Sequence, residues 1–225
     1  MHILLTDILT CPRCGPELGL ILLADRVEDR RVLAGRLGCA NCRETYPIAE
    51  GAVDLRTATT GGSTEVRSPQ SAVRSGEDPA EEAVRLAALL GLADVHGTVL
   101  IAGPGAALAG AVSTLVPEVE AVALTAAPPA DDGAPGVSRM AGGPALPFRD
   151  RSLRGVALTG GADDALLSEG VRVLSPGSRL VVHPAPPGTA GRLAAGGAGV
   201  ILDQDGVVVA RAPGAPVQLR LNALR

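Results

Sequence analysis

Cys11, Cys14, Cys39 and Cys42 are the four cysteines of the chain, and they fall in two short runs, Cys11-Pro12-Arg13-Cys14-Gly15 and Cys39-Ala40-Asn41-Cys42. Each has the C-x2-C spacing, in which a tight turn aims both sulfurs at one point while backbone N–H groups support them. Two such pairs make a four-thiolate donor set for a tetrahedral zinc ion, closed and structural, with no coordination position left open. A disulfide reading competes poorly, because a C-x2-C pair is strained as an internal bridge and nothing else in the chain points to secretion. A redox reading uses one pair and leaves the other without a role. A closed site holds structure, so chemistry must be sought in whatever the cysteine-bearing ribbon is joined to.

Composition narrows that search. Hydrophobic residues make up 46% of the chain, ample for a core, but with one Tyr, one Phe and no Trp that core is packed from Ala, Val and Leu. The same scarcity removes any stacking platform for single-stranded nucleic acid. Every basic residue is Arg, which excludes lysine nucleophiles and Schiff-base chemistry. A formal net charge of -4 makes direct nucleic-acid binding an unexpected property, although a local arginine patch is compatible with it. The start, Met1-His2-Ile3-Leu4-Leu5-Thr6-Asp7, lacks a basic region, and Asp7 breaks its short apolar run. No apolar run reaches bilayer-spanning length. These features predict a soluble, cytoplasmic protein with reduced, metal-bound cysteines and no membrane partner.

Read in order, Leu4 to Leu9 leads into the first cysteine turn. Leu18 to Ala24 and Arg31 to Leu37 flank a charged turn and predict a hairpin that delivers Cys39. Glu44 to Leu55 predicts a Pro-containing strand, a Gly turn and a second short strand. Thr57 to Gly76 is polar, rich in Gly, Ser and Thr, and reads as a tether. Asp78-Pro79-Ala80-Glu81-Glu82 carries the marks of a helix start. Gly97 to Ala102 is a buried-type strand running into Gly103-Pro104-Gly105, with a helix expected over Ala106 to Leu115. Further strands are expected at Val119 to Leu124, Val137 to Met140, Leu153 to Leu158 and Arg179 to His183. A helix is expected from Asp163 to Leu174, a hairpin from Gly199 to Ala210, and an edge strand at Val217 to Leu221. The boundaries that follow are a ribbon at residues 1–56, a linker at 57–76 and an open α/β domain of Rossmann type at 77–225.

The run of CPRCG, hairpin, CANC and then Tyr46-Pro47-Ile48 through Gly51 to Asp54-Leu55 resembles the small zinc-ribbon activator family that partners transfer-RNA, ribosomal and release-factor methyltransferases. The resemblance covers Leu5 to Arg56. It implies that Cys11, Cys14, Cys39 and Cys42 hold zinc and that Tyr46 to Leu55 lies on the side facing a protein partner, a methyltransferase or translation-related protein. Arg43 departs from the pattern, since a Gly better suits the turn after the second pair.

From Asp78 to Ala212 the chain resembles the class I S-adenosylmethionine methyltransferase fold. The residues that carry this are Val99-Leu100-Ile101-Ala102-Gly103-Pro104-Gly105, Ala145-Leu146-Pro147-Phe148-Arg149-Asp150, and Glu169 with Arg172-Val173-Leu174-Ser175-Pro176-Gly177-Ser178-Arg179-Leu180-Val181-Val182. The resemblance implies S-adenosylmethionine as cofactor, held at Gly103 and Gly105. Against that, the acid usual two residues before the first Gly is Ile101, and the third Gly of the loop is Ala107. The ribose-binding acid falls on or beside Thr125, and the acid near the adenine is replaced within Gly142-Gly143-Pro144. The usual "FD" reads Leu153-Arg154. Carboxylates grip a ribose diol in a way that these residues do not.

Asp131 and Asp132 read as solvated loop acids. Asp163 reads as a helix N-cap, and His183 as a strand-end residue placed where a general base could act. His2 and His96 have no partner pattern. The expectation is a non-catalytic, methyltransferase-like zinc protein, a pseudoenzyme with a vestigial cofactor site at Gly103 and Gly105 and no catalytic residue, acting as a binding, scaffold or activator module. The competing expectation is an active S-adenosylmethionine-dependent methyltransferase acting on RNA or protein.

Overall fold

The structure is a computed structural model that describes residues 1–56, 78–93, 95–127, 134, 136–143 and 145–214. A 3-10 turn at Ile3–Asp7 opens the chain, followed by the two-stranded pair β1 (Thr10–Cys11) and β2 (Gly15–Gly19). The hairpin of β3 (Ile21–Glu28) and β4 (Arg31–Gly38) turns at Asp29 and Arg30, both at positive φ. Its first strand starts later than the apolar run and continues through Asp25 to Glu28, because strand pairing with β4 extends to Glu28↔Arg31. β5 (Thr45–Ala49) and β6 (Ala52–Asp54) follow as expected, across a Glu50-Gly51 turn with φ of 50° and 78°.

α1 (Pro79–Leu90) begins where the sequence places it. Asp78 accepts the Ala80 N–H at 3.0 Å, Glu81 and Glu82 occupy the first turn, and Gly91 closes the helix in the left-handed region. β7 (Gly97–Ala102) then leads into a 3-10 turn at Pro104–Leu108, so α2 (Ala109–Leu115) starts three residues later than expected. β8 (Val119–Thr125), β9 (Val137–Ala141), β10 (Leu153–Thr159) and α3 (Asp164–Val173) match their predicted places. β11 (Leu174–His183) starts directly after α3, running through Ser175-Pro176-Gly177 where the sequence suggested a break. α4 (Thr189–Ala195) was not anticipated. The hairpin of β12 (Gly199–Gln204) and β13 (Val207–Arg211) completes the described chain. The Thr57 to Gly76 tether, Asp131, Asp132, Pro144 and the Val217 to Leu221 strand lie outside the described residues.

Eleven strands form one sheet in the order β12-β13-β11-β10-β7-β8-β9-β6-β5-β4-β3. β11, β10, β7, β8, β9 and β6 run parallel, and antiparallel strands finish both ends. The parallel strands read as near-continuous apolar runs because both faces are covered. On one face α1 and α2 pack against Val99, Ile101, Ala121 and Val181. On the other, α3 and α4 share a single apolar cluster with Met1, Leu5, Leu9, Leu37, Tyr46 and Val53, so the N-terminal segment contributes to the same core as the parallel strands.

Three sets of contacts join the two regions. β6 pairs in parallel with β9 through Ala52↔Arg139, Val53↔Met140 and Asp54↔Ala141. The Arg31 guanidinium donates to both Glu120 carboxylate oxygens at 2.6 and 2.7 Å, and Ser138 donates to Glu120 while accepting the His2 N–H. Phe148, fully buried, bridges to Leu9, flanked by Thr10 N–H to Pro147 O at 2.9 Å and Arg149 N–H to Ile8 O at 2.8 Å. From the far side Arg172 donates to the Leu146 and Phe148 carbonyls, with Glu169 accepting the Leu146 N–H. Among the described residues no helix is long and apolar enough to cross a membrane.

The Phe148 ring is fully buried in the apolar cluster that Leu5 and Leu9 share with Leu100 and Val156, so truncating it removes contact from that common core. Phe148→Ala is expected to cost about 3–5 kcal/mol, read as a lowered urea midpoint in which the N-terminal region and the parallel sheet unfold in a single transition.

Candidate functional sites: a four-thiol cluster and a strand-end crevice

The cysteine turns meet as their spacing predicts. Cys11 Sγ lies 3.7 Å from Cys42 Sγ and Cys14 Sγ 3.8 Å from Cys39 Sγ, and all four sulfurs lie within 4.8 Å of one another. None is in a disulfide. A zinc–sulfur bond of about 2.3 Å in a tetrahedron sets sulfurs about 3.8 Å apart, so this donor set fits that ion. Cys11 and Cys39 are buried, and the Asn41 amide donates to Cys14 Sγ at 3.4 Å. The Cys42 backbone N–H, against opposing burial, draws the Cys39 thiol down to about 7. At Cys42 the backbone N–H of Glu44 is outweighed by burial and the neighbouring thiols, which push that thiol up to about 12. Four thiolates this close repel unless a cation lies between them.

Gly15 and Arg43 occupy equivalent places after the two turns, with φ of 92° and 61°. The arginine is therefore held in a conformation that suits glycine, as the sequence pattern suggested. Tyr46 is buried with its hydroxyl 3.4 Å from Cys11 Sγ, and burial pushes its ionisation up. Ile48 and Val53 are buried as cross-strand partners. Within the Tyr46 to Leu55 stretch that the resemblance places toward a partner, Ala52–Asp54 pairs with β9 of the same chain and the Leu55 N–H donates to Ala141 O, while β5 lies between β4 and β6.

The second site lies at the carboxyl ends of β7, β10 and β11, where an open parallel sheet offers a crevice. Gly103 has φ of 88°, and a Cβ there would stand 2.0 Å from Thr159 O. A Cβ on Gly105 would stand 2.7 Å from Thr159 Cγ2. Gly105 N–H donates to Thr159 Oγ1 at 2.7 Å, and that hydroxyl donates to Ala102 O at 2.6 Å. The loop amide is thus bonded to a side chain of the same chain. Thr159 was missed in the sequence, although its place at the carboxyl end of β10 is where such a residue should be sought. Ile101 is fully buried, and the Thr125 hydroxyl donates to Ala127 O at 2.6 Å. A cavity of about 350 Å³ opens beside the loop, bordered by Glu82, Arg85, Gly105, Thr159, His183 and Asp205. Asp163 caps α3 by accepting the Leu166 N–H at 2.8 Å, and His96 Nδ1 lies 3.3 Å from Glu118. His2 is held at the inter-region seam, its imidazole accepting the Leu4 N–H, and burial lowers its protonation.

This sheet order makes an open, mostly parallel α/β fold of Rossmann type, and the four close cysteines fit a zinc-ribbon region at its N-terminus. Residues 2–51 match the family model described as Trm112p-like protein. No curated protein matches the chain at a significant level. Among solved structures, the [4+2]-cyclase SpnF is similar with a TM-score of 0.50 at 14% identity, over 60% of this chain and 81% of that one. The 1,6-didemethyltoxoflavin-N1-methyltransferase of Burkholderia thailandensis gives a TM-score of 0.46 at 18% identity, over 61% and 80%. A complex between the Haloferax volcanii Trm112 methyltransferase activator and a methyltransferase gives 0.43 at 17%, over 57% and 88%. Residues 2–51 are thus similar to the Trm112p-like family, and the sheet that follows is similar in fold to the SpnF cyclase.

Relieving the left-handed backbone at the second cysteine turn should stabilise the ribbon. Arg43→Gly is expected to raise stability by about 0.5–1 kcal/mol, seen as a higher melting temperature with unchanged metal content.

Proposed function

We propose that this chain is a non-catalytic, methyltransferase-like zinc protein whose two units, residues 1–56 and 77–225, are docked on each other and together form a binding or scaffold module for a protein partner. The observation that carries this reading is the Thr159 hydroxyl. It already bonds the Gly105 N–H, the loop donor at which a cofactor would be held, and Ile101 and Thr125 supply no carboxylate for a ribose diol. Gly103 and Gly105 then serve close packing of the loop against β10 rather than cofactor binding.

Zinc in this reading is held by Cys11, Cys14, Cys39 and Cys42, and when bound it supplies folding free energy rather than reactivity. Metal analysis should find one zinc per chain. Cys39→Ser should lose it and melt at lower temperature, and a strong chelator should lower the melting temperature of the native protein in the same way.

A second reading, an active S-adenosylmethionine-dependent methyltransferase acting on RNA or protein, is favoured by one observation. The cavity beside Gly105 is open, and the side chains of Glu82, Arg85, His183 and Asp205 on its border make no ion pair or hydrogen bond among the described residues. Calorimetric titration of the zinc-loaded protein with S-adenosylmethionine and S-adenosylhomocysteine to millimolar concentration separates the two. The non-catalytic reading expects no saturable heat; saturable binding that Gly105→Arg abolishes would overturn it.

A further inference from the structure

At the opposite end of the parallel strands from the crevice, a groove of about 510 Å³ is bordered by His96, Arg154, Gly177, Ser178, Arg179 and Arg211. No acidic side chain among the described residues lines it, in a chain whose formal net charge is -4. Arg179 and Arg211 are directly opposed partners on β11 and β13. Like charges at such a position destabilise a sheet unless something neutralises them. Arg154 lies on β10 next to Gly155, whose partner on β11 is Arg179. Arg154 and Arg211 are exposed and make no ion pair or hydrogen bond among the described residues. His96, on the border, lies 3.3 Å from Glu118, which does not itself line the groove.

Arg179 is built into place. Its Nη1 donates to the Ala88 and Leu89 carbonyls at the C-terminus of α1, at 3.3 and 3.2 Å. Its guanidinium lies over Gly91, where a Cβ would stand 2.8 Å from Cζ. The α1 carbonyls offset part of the Arg179 charge, so Arg154 and Arg211 supply most of the unneutralised positive charge. Beside them the Ser178 hydroxyl makes no hydrogen bond among the described residues, and Gly177, at φ of 80°, has open space where a Cβ would be. Planar guanidiniums with free donors and an adjacent hydroxyl suit phosphate oxygens, which accept paired N–H bonds.

We infer that the groove formed by Arg154, Arg179 and Arg211 binds a small polyanion carrying at least two phosphate groups. A small ligand fits better than nucleic acid, because the groove has no aromatic residue for base stacking and the surrounding chain is acidic overall. Removing each exposed guanidinium is expected to weaken binding about tenfold, from the loss of charge-assisted hydrogen bonds.

The test is calorimetric titration of the full, zinc-loaded chain with inorganic pyrophosphate, with a single-stranded RNA oligonucleotide as a parallel probe. Saturable pyrophosphate binding that falls at least about tenfold in Arg154→Ser and in Arg211→Ser, and is unchanged in Arg36→Ser on the distant β4, supports the site. Both groove residues are exposed, and equal melting temperatures establish that the variants remain folded. A Gly91→Ala variant, which crowds Arg179, should also weaken pyrophosphate. Absence of saturable heat, or binding indifferent to both arginine substitutions, overturns the inference. Binding of the RNA in the absence of pyrophosphate binding overturns the assignment to a small ligand.

Discussion

The parallel pairing of Ala52–Asp54 with Arg139–Ala141 is the contact on which the architecture depends. A parallel sheet needs both faces and both edges covered, and β9 would otherwise present an open edge of main-chain donors and acceptors. β6 takes that edge, and the antiparallel strands behind it carry the sheet outward to β3, whose exposed Asp25, Arg26 and Glu28 make a charged terminus. Only three residue pairs form this junction, so it needs further support. The Arg31–Glu120 ion pair and the Leu9–Phe148 bridge supply it, one through side chains and the other through the main chain.

That division of labour explains how a chain so poor in large residues holds two regions together. Its single Tyr and single Phe are both fully buried, Tyr46 with its hydroxyl beside the cysteine cluster and Phe148 in the apolar core that the N-terminal region shares with the parallel sheet. Elsewhere the core is mostly Ala, Val and Leu, with Met1, Met140, Ile48 and Ile101 among them. The Ala145–Asp150 segment is consequently a hub. It is gripped by the N-terminal region on one side and by Glu169 and Arg172 of α3 on the other, so displacement of one side would be felt by the other.

Much of this was legible from local chemistry. Two C-x2-C pairs define a donor set whatever surrounds them, Asp78-Pro79 and Asp163 announce helix starts by their capping groups, and Arg43 declares a strained turn by standing where glycine is favoured. The succession of strands and helices along the chain followed from apolar runs and turn signals. What escaped has physical reasons. A three-residue strand such as β6 carries too little pattern to name its partner, and its pairing with β9 depends on residues remote in sequence. Thr159 acts through a hydroxyl that contacts a loop more than fifty positions away. α4 is only seven residues, and Pro186, Pro187 and Gly188 before it read as a loop. The early start of β11 was hidden by Pro176 and Gly177, which a strand accepts where its register is irregular.

Covalent joining gives the β6–β9 contact a kinetic and competitive meaning. A binding region that is a separate molecule can be shared among several partners, each present at its own concentration. Here the docked strand faces its partner at an effective concentration of about millimolar. A free competitor of equal intrinsic affinity at about micromolar concentration would displace it in roughly one molecule per thousand. Fusion therefore removes the ribbon from any common pool and commits it to one sheet.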